Sequence, residues 1–262
     1  MTSAGSLRAL FLALGLLVAS VAAAAQPRLA IVIDDLGNRL AEGQRAVTLP
    51  GAVTCAFLPG TPHALALAEL AHRTGKEVIL HQPMQSVAGQ ALGPGAITLD
   101  MTRTAMVRTL RANLRALPHV AGMNNHMGSL LTRHPGHMTW VAAALREAAP
   151  GLYFLDSRTS PRTVAERMAR EVGVATTRRD VFLDNVRDPE AIRAQLRVAA
   201  ERARRQGSAV AIGHPYPETL EVLEAELPRL ALAGIRLVPA SRVVALRARG
   251  DRRGEDVQVA VD

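Results

Sequence analysis

Short apolar runs of four to seven residues alternate with longer amphipathic segments along most of this chain. That alternation restricts it to repeated β-α units around a largely parallel sheet. Strands are predicted near Leu29–Ile33, Val53–Leu58, Glu77–Leu80, Val120–Met123, Leu152–Leu155, Val174–Thr176 or Val181–Leu183, Ala209–Ile212 and Arg236–Val238. Several runs end on a residue with usable chemistry: Asp34 and Asp35, His81, then Asn124, Asn125 and His126, then Asp156, and finally His214. The C-terminal ends of barrel strands open onto one mouth, so residues far apart in sequence are expected to meet there.

Helix signals lie between the runs. Pro62 opens His63 to Arg73, Thr102 is placed to cap Ala105 to Leu117, and Pro135 precedes Met138 to Ala149. Ser160-Pro161, Asp188-Pro189 and Tyr216-Pro217 each suit a first helical turn, and Gly75, Gly173, Gly207 and Gly234 suit helix C-caps. Seven or eight strands in this order predict an α/β fold, a closed or nearly closed (β/α) barrel. The alternative is an open doubly wound sheet, but no GxGxxG or Walker loop follows any strand.

The first 25 residues are expected to stand apart. Arg8 precedes an apolar stretch from Ala9 to about Val21, and small residues run from Ala22 to Ala25 before the polar Gln26-Pro27-Arg28. This is the pattern of a secretory signal peptide, which predicts a periplasmic or secreted bacterial protein with no membrane span after cleavage. The alternative is an uncleaved anchor, although the stretch is short and rich in Ala for that. A single barrel domain is expected over residues 26–248, followed by a charged, aperiodic tail over residues 249–262.

Cys55 is the only cysteine, so export brings no internal disulfide, and its apolar neighbours place it in a core strand. The net charge of +8 is carried almost wholly by arginine, with Lys76 the only lysine. Nucleic acid is excluded as a partner class: aromatics are 3 % of residues and no recognition motif is present. An anionic envelope polymer fits the charge better.

Asp34 and Asp35 are adjacent carboxylates at the end of an apolar strand. In extended backbone they point to opposite sides, so one is free to bind a metal while the other reaches a water. His81 and His126 occupy equivalent stations after later strands, and Asp plus two imidazoles is a common donor set for zinc or a similar divalent ion. His214, between Gly213 and Pro215, suits a general acid or base. Asn124, Asn125, Asp156 and Arg158 are candidate substrate contacts, and the carboxylates of Asp156 and Asp184 also suit orienting a histidine or pairing with Arg158. His63, His72, His119, His134 and His137 fall in helices or beside turns and are expected to be structural. A serine hydrolase is disfavoured because there is no GxSxG elbow.

The segments AIVIDDLGN, AFLPGTPHA, GKEVILHQPMQ, LGPGAIT, VAGMNNHMGSLLT, YFLDSRTS, RRDVFLDN and AIGHPYPETL, in this order, resemble the divergent polysaccharide deacetylase family, relatives of the NodB-type carbohydrate esterases. The resemblance implies a distorted (β/α) barrel of about seven units. It implies Asp34 as general base, Asp35 as a metal ligand, His214 as general acid, zinc as cofactor and an acetylated envelope glycan as substrate. One departure stands out: classical members carry HxxxH, whereas Gln85 follows His81 here at that spacing. His126 is assigned the missing imidazole. The rival reading is a catalytically inactive envelope protein that uses the same barrel to bind a glycan or a partner.

Overall fold

The computed structural model describes residues 26–259; the expected signal segment, residues 1–25, lies outside them. The chain runs β1 (Arg28–Leu36), α1 (Leu40–Thr48), β2 (Val53–Phe57), α2 (Ala64–Arg73), β3 (Glu77–Met84), α3 (Arg103–Arg115), β4 (Val120–Met127), α4 (Pro135–Ala148) and β5 (Tyr153–Asp156). It continues through α5 (Ala165–Glu171), β6 (Thr176–Arg178), β7 (Val181–Phe182), α6 (Pro189–Gln206), β8 (Ser208–Gly213), α7 (Pro217–Leu232), β9 (Arg236–Leu237) and α8 (Ala240–Val259).

All pairings in the sheet are parallel, in the order β6-β5-β4-β3-β2-β1-β8-β7. β6 and β7 end the order but are joined by only Arg179 and Asp180, whose backbone N–H groups bond Asp156 O on β5 and Val210 O on β8. One extended run therefore serves both neighbours in turn, and the ring closes through the chain. Of the two alternatives offered by the sequence for this stave, Val181–Leu183 matches β7, whereas Val174–Thr176 meets β6 only at Thr176, because that strand begins two residues later. Strand order advances in one direction with no switch point, which separates this distorted seven-stave barrel from a doubly wound sheet. β9 is no eighth stave; it pairs only with Arg28 and Leu29 at the start of β1.

Alternation along the strands divides the core in two. Leu29, Ile31 and Ile33 pack outward with Cys55, Phe57, Leu80 and the apolar faces of the helices. Ala30 and Val32 point inward with Ala56, Ile79, Leu155, Val210 and Ile212, and Val243 and Val244 of α8 close this inner core from below. The seal is polar at its centre. Glu77 Oε2 accepts from Thr54 Oγ1 and Tyr153 Oη, each at 2.8 Å, while Ala240 N at the start of α8 donates to Thr54 Oγ1 at 2.9 Å. Burial of Cys55 in the outer core pushes its thiol up to about 12, consistent with a packing role.

Gly122 is needed where β4 passes Tyr153, because a Cβ there would lie 2.6 Å from the Tyr153 ring and 2.7 Å from its backbone oxygen. The ladder holds that oxygen, so relief requires a strand to move. Gly122→Ala is expected to destabilise the protein by about 1–3 kcal/mol through overpacking, read as a lower midpoint in urea. An unchanged midpoint would contradict this packing.

Some local expectations shift. α1 was not anticipated: its N-cap is Arg39, which makes no side-chain cap, and Gly43 interrupts its pattern. A Cβ there would meet the tip of Leu67, Cδ1, at 2.4 Å, so any side chain needs Leu67 to shift. Thr102 and Asp188 do cap α3 and α6, accepting from Ala105 N and Ala191 N. Ser160-Pro161 does not open a helix; Ser160 Oγ accepts from Arg162 N in a turn, and α5 starts at Ala165. α8 continues as backbone helix to Val259, into the stretch expected as a tail. Among the described residues, no helix is long and apolar enough to cross a membrane.

Candidate active site

The inward face of β1 passes from Ala30 and Val32 to Asp34, so the alternation that builds the inner core delivers this carboxylate to the barrel mouth. Strict alternation would send Asp35 outward. Instead the register of β1 against β2 shifts between Ile33 and Leu36, and Asp35 adopts φ 58°, in the left-handed region. The irregularity turns both carboxylates toward the mouth, at a conformational cost that a non-glycine residue bears only where the surroundings hold it.

β3 and β4 supply the imidazoles. The strands continue past the points where their apolar runs stop, so His81, Asn124 and His126 are all ladder residues, with His81 paired to Asn124 and Pro83 to His126. Asn124 and His126 are two apart and share the inward face. Asp35 Oδ1 lies 3.0 Å from His81 Nε2 and 2.8 Å from His126 Nδ1, and the two nitrogens are 3.2 Å apart. These separations are close to the roughly 3.3 Å between ligand atoms in a tetrahedral zinc site with ~2.0–2.1 Å bonds.

Asp35 Oδ1 is buried and, although it lies close to both ring nitrogens, has no well-formed hydrogen bond. An orphaned anionic oxygen facing two imidazole nitrogens is a donor set that fits a divalent cation. Asp35, His81 and His126 are the metal-compatible group among the described residues.

Asn124 connects this group to Asp34. Its side-chain oxygen is 2.6 Å from His81 Nδ1, and its amide nitrogen donates to Asp34 Oδ1 at 2.7 Å. With Nδ1–H engaged, His81 presents Nε2 to the cluster, the usual way in which an outer partner fixes a ligand tautomer. Asp34 Oδ2 remains directed toward the cluster, 3.8 Å from His81 Nε2.

His214 enters from β8. Its Nδ1 is 3.0 Å from Asp184 Oδ1, while Asp184 Oδ2 accepts from His214 N at 2.6 Å and from Thr219 Oγ1 at 2.9 Å. The ring is thus clamped through Nδ1, and Nε2 faces the mouth 3.9 Å from Asp35 Oδ2. Phe182 and Tyr216 flank it, with ring centroids 5.5 and 5.3 Å away.

The electrostatics separate the two aspartates. Burial dominates at Asp34 and raises its pKa despite His81, His214 and Asn124. Burial would raise Asp35 as well, but the His126 and His81 rings hold it well below the usual carboxylate range. Burial disfavours a charged His81, yet Asp34 and Asp35 outweigh it and bring the imidazole up to about 9. His214 is likewise raised against its burial, chiefly by Asp184. Neighbouring carboxylates with opposed shifts are suited to different tasks.

The other residues singled out in the sequence divide. Asn124 is in the cluster, linking Asp34 to His81. Asn125 secures the next loop, donating to Met127 O and accepting from Ser157 N. Asp156 follows the parity of Phe154, not that of the inward Leu155, and its oxygens accept from Arg158 N and Thr163 Oγ1. Arg158 is exposed on that loop. The side-chain oxygen of Gln85 is engaged elsewhere, accepting from Leu99 N at 2.8 Å. Of the remaining histidines, His72 stacks on His119, and His137 packs on Trp140 and contacts Leu99 O.

The sequence profile of the divergent polysaccharide deacetylases matches residues 31–244, a span containing every site residue described above. The Escherichia coli protein YibQ is 40 % identical over 217 residues, which is 83 % of this chain and 67 % of that protein. A Haemophilus influenzae protein is 38 % identical over 206 residues, 79 % of this chain and 73 % of its own length. A crystal structure of an Agrobacterium tumefaciens protein superposes with a TM-score of 0.80 at 23 % identity, covering 84 % of this chain and 90 % of that one. With family motifs on consecutive strand ends of one distorted barrel, this chain belongs to the divergent polysaccharide deacetylase family.

Proposed function

We propose that this protein is an exported, zinc-dependent deacetylase that removes acetyl groups from an envelope glycan. Residues 1–25 would serve as its signal peptide, the barrel over residues 26–248 would carry the reaction, and the periplasm would be its location. The observation that carries this reading is the juxtaposition of the Asp35/His81/His126 donor set with a buried carboxylate, Asp34, 3.8 Å from His81, and a clamped imidazole, His214, 3.9 Å from Asp35.

Asp35, His81 and His126 would hold the ion. When bound, it would supply Lewis-acid polarisation of the acetyl carbonyl. Asp34 is placed to accept the proton of the attacking water: Asn124 occupies Oδ1 and leaves Oδ2 on the cluster side. His214 is placed to deliver a proton to the departing amine or hydroxyl from Nε2, because Asp184 engages Nδ1. A base and an acid that both reach one donor set are the arrangement that acyl transfer needs. Asp184 and Asn124 are positioning residues that act through His214, and through Asp34 and His81.

Acetate release from acetylated amino-sugar oligomers, measured on the zinc-loaded protein from Gln26 onward, tests this reading. Release that stops when the metal is chelated is expected. A fully loaded protein that binds glycan without releasing acetate would overturn the enzymatic reading in favour of a glycan-binding envelope protein.

A further inference from the structure

A cleft of ≈ 300 Å³ is lined by Asp35, Asn38, Arg39, Arg187, Pro215 and Tyr216 among others, and the Tyr216 ring adjoins His214. Its charge is unbalanced. Asp35 is the only carboxylate in the lining, and its charge faces the cluster of ring nitrogens. Two guanidinium groups, Arg39 and Arg187, also line the cleft.

Arg187 lies over the Tyr216 ring at 3.5 Å from the centroid and makes no ion pair among the described residues. Stacking holds the guanidinium plane against the ring and leaves its N–H edge to a ligand, a fork that matches a carboxylate or phosphate. Among the described residues Arg39 is paired only with Glu42, at 3.2 Å, and its side chain is 76 % exposed. A ligand anion can displace such an exposed pair at little cost.

The order of groups along the cleft fixes which part of a substrate meets this charge. If His214 protonates the leaving atom, as proposed above, the sugar that carries this atom lies beside His214. What passes Tyr216, whose ring adjoins His214, is then the sugar. We infer that the substrate is an acidic glycan, with an anionic substituent near the acetylated position that is bound by Arg187 and Arg39. The inference rests on the proposed role of His214 for its direction, but the anion preference itself is independent of turnover.

Calorimetric titration of the zinc-loaded protein tests it with paired probes. A hyaluronan hexasaccharide is compared with its carboxyl-reduced, neutral counterpart, and N-acetylglucosamine 6-phosphate with N-acetylglucosamine. The charged member of at least one pair is expected to bind about 10-fold tighter or more, the size of a charge-assisted contact. The pair that discriminates tells carboxylate from phosphate. Arg187→Gln combined with Arg39→Gln should remove the preference, bringing the charged member of each pair to the affinity of its neutral counterpart.

Equal binding within both pairs, or none of any probe, overturns the inference, as does a preference that survives the double variant. Acetate release is scored separately. Charge preference without release would overturn only the deacetylase reading, whereas equal release from charged and neutral chains would overturn only the acidic-glycan inference.

Discussion

Chains carrying His81→Ala or His126→Ala are expected to lose stoichiometric zinc, falling from one ion per wild-type molecule to near none after dialysis. The donor atoms sit 2.8, 3.0 and 3.2 Å apart, so each contributes one corner of a single site and a remaining pair offers too few ligands. Affinity should drop by more than the roughly 10–100-fold that loss of an orienting partner costs. Asn124→Ala provides that lesser case, because it removes the group on His81 Nδ1 and leaves all three donors in place. Elemental analysis and competition with a chelating dye give both numbers. An ion that binds one per chain and ignores both histidine variants would remove Asp35, His81 and His126 from the metal role.

The second large effect concerns turnover with the metal retained. Asp34→Asn and His214→Ala are each expected to lower kcat by at least about 100-fold, the usual contribution of a positioned acid or base. Zinc content should hold, since neither residue is among the three donors. Asp184→Asn should follow His214→Ala in direction, because it loses the acceptor on Nδ1 and so the tautomer that presents Nε2–H to the mouth. Variants that keep wild-type turnover with the ion in place would sink the base and acid assignments together.

Much of this site was legible in the chain because a parallel barrel converts a one-dimensional cue into a place. A polar residue where an apolar run stops is a residue at a strand's C-terminal end, and all such ends share a mouth. Asp34, Asp35, His81, His126 and His214 carried that cue. Asp156 carried it too, yet its side chain anchors its own loop, because parity along a strand only four residues long is not readable from one apolar run. Asn125 is comparable: its neighbours Asn124 and His126 face inward while it bonds the loop that leaves the strand. α1 escaped notice because its glycine, a weakness in an isolated helix, is set by the close approach of Leu67.

The alternating pattern by itself determined the fold class, the approximate number of staves, the end of the barrel where chemistry would gather and most of the residue types present there. Those properties follow from periodicity and from the chirality of β-α units, which are local. Only the tertiary structure decided that Asp35 breaks alternation to join Asp34, that His126 stands with His81 where Gln85 does not, and that Asp184 clamps His214. It alone set Arg187 over Tyr216 beside that histidine. Each of these depends on register between strands or on a backbone irregularity, and a one-residue change in either would send the same side chain to the opposite face.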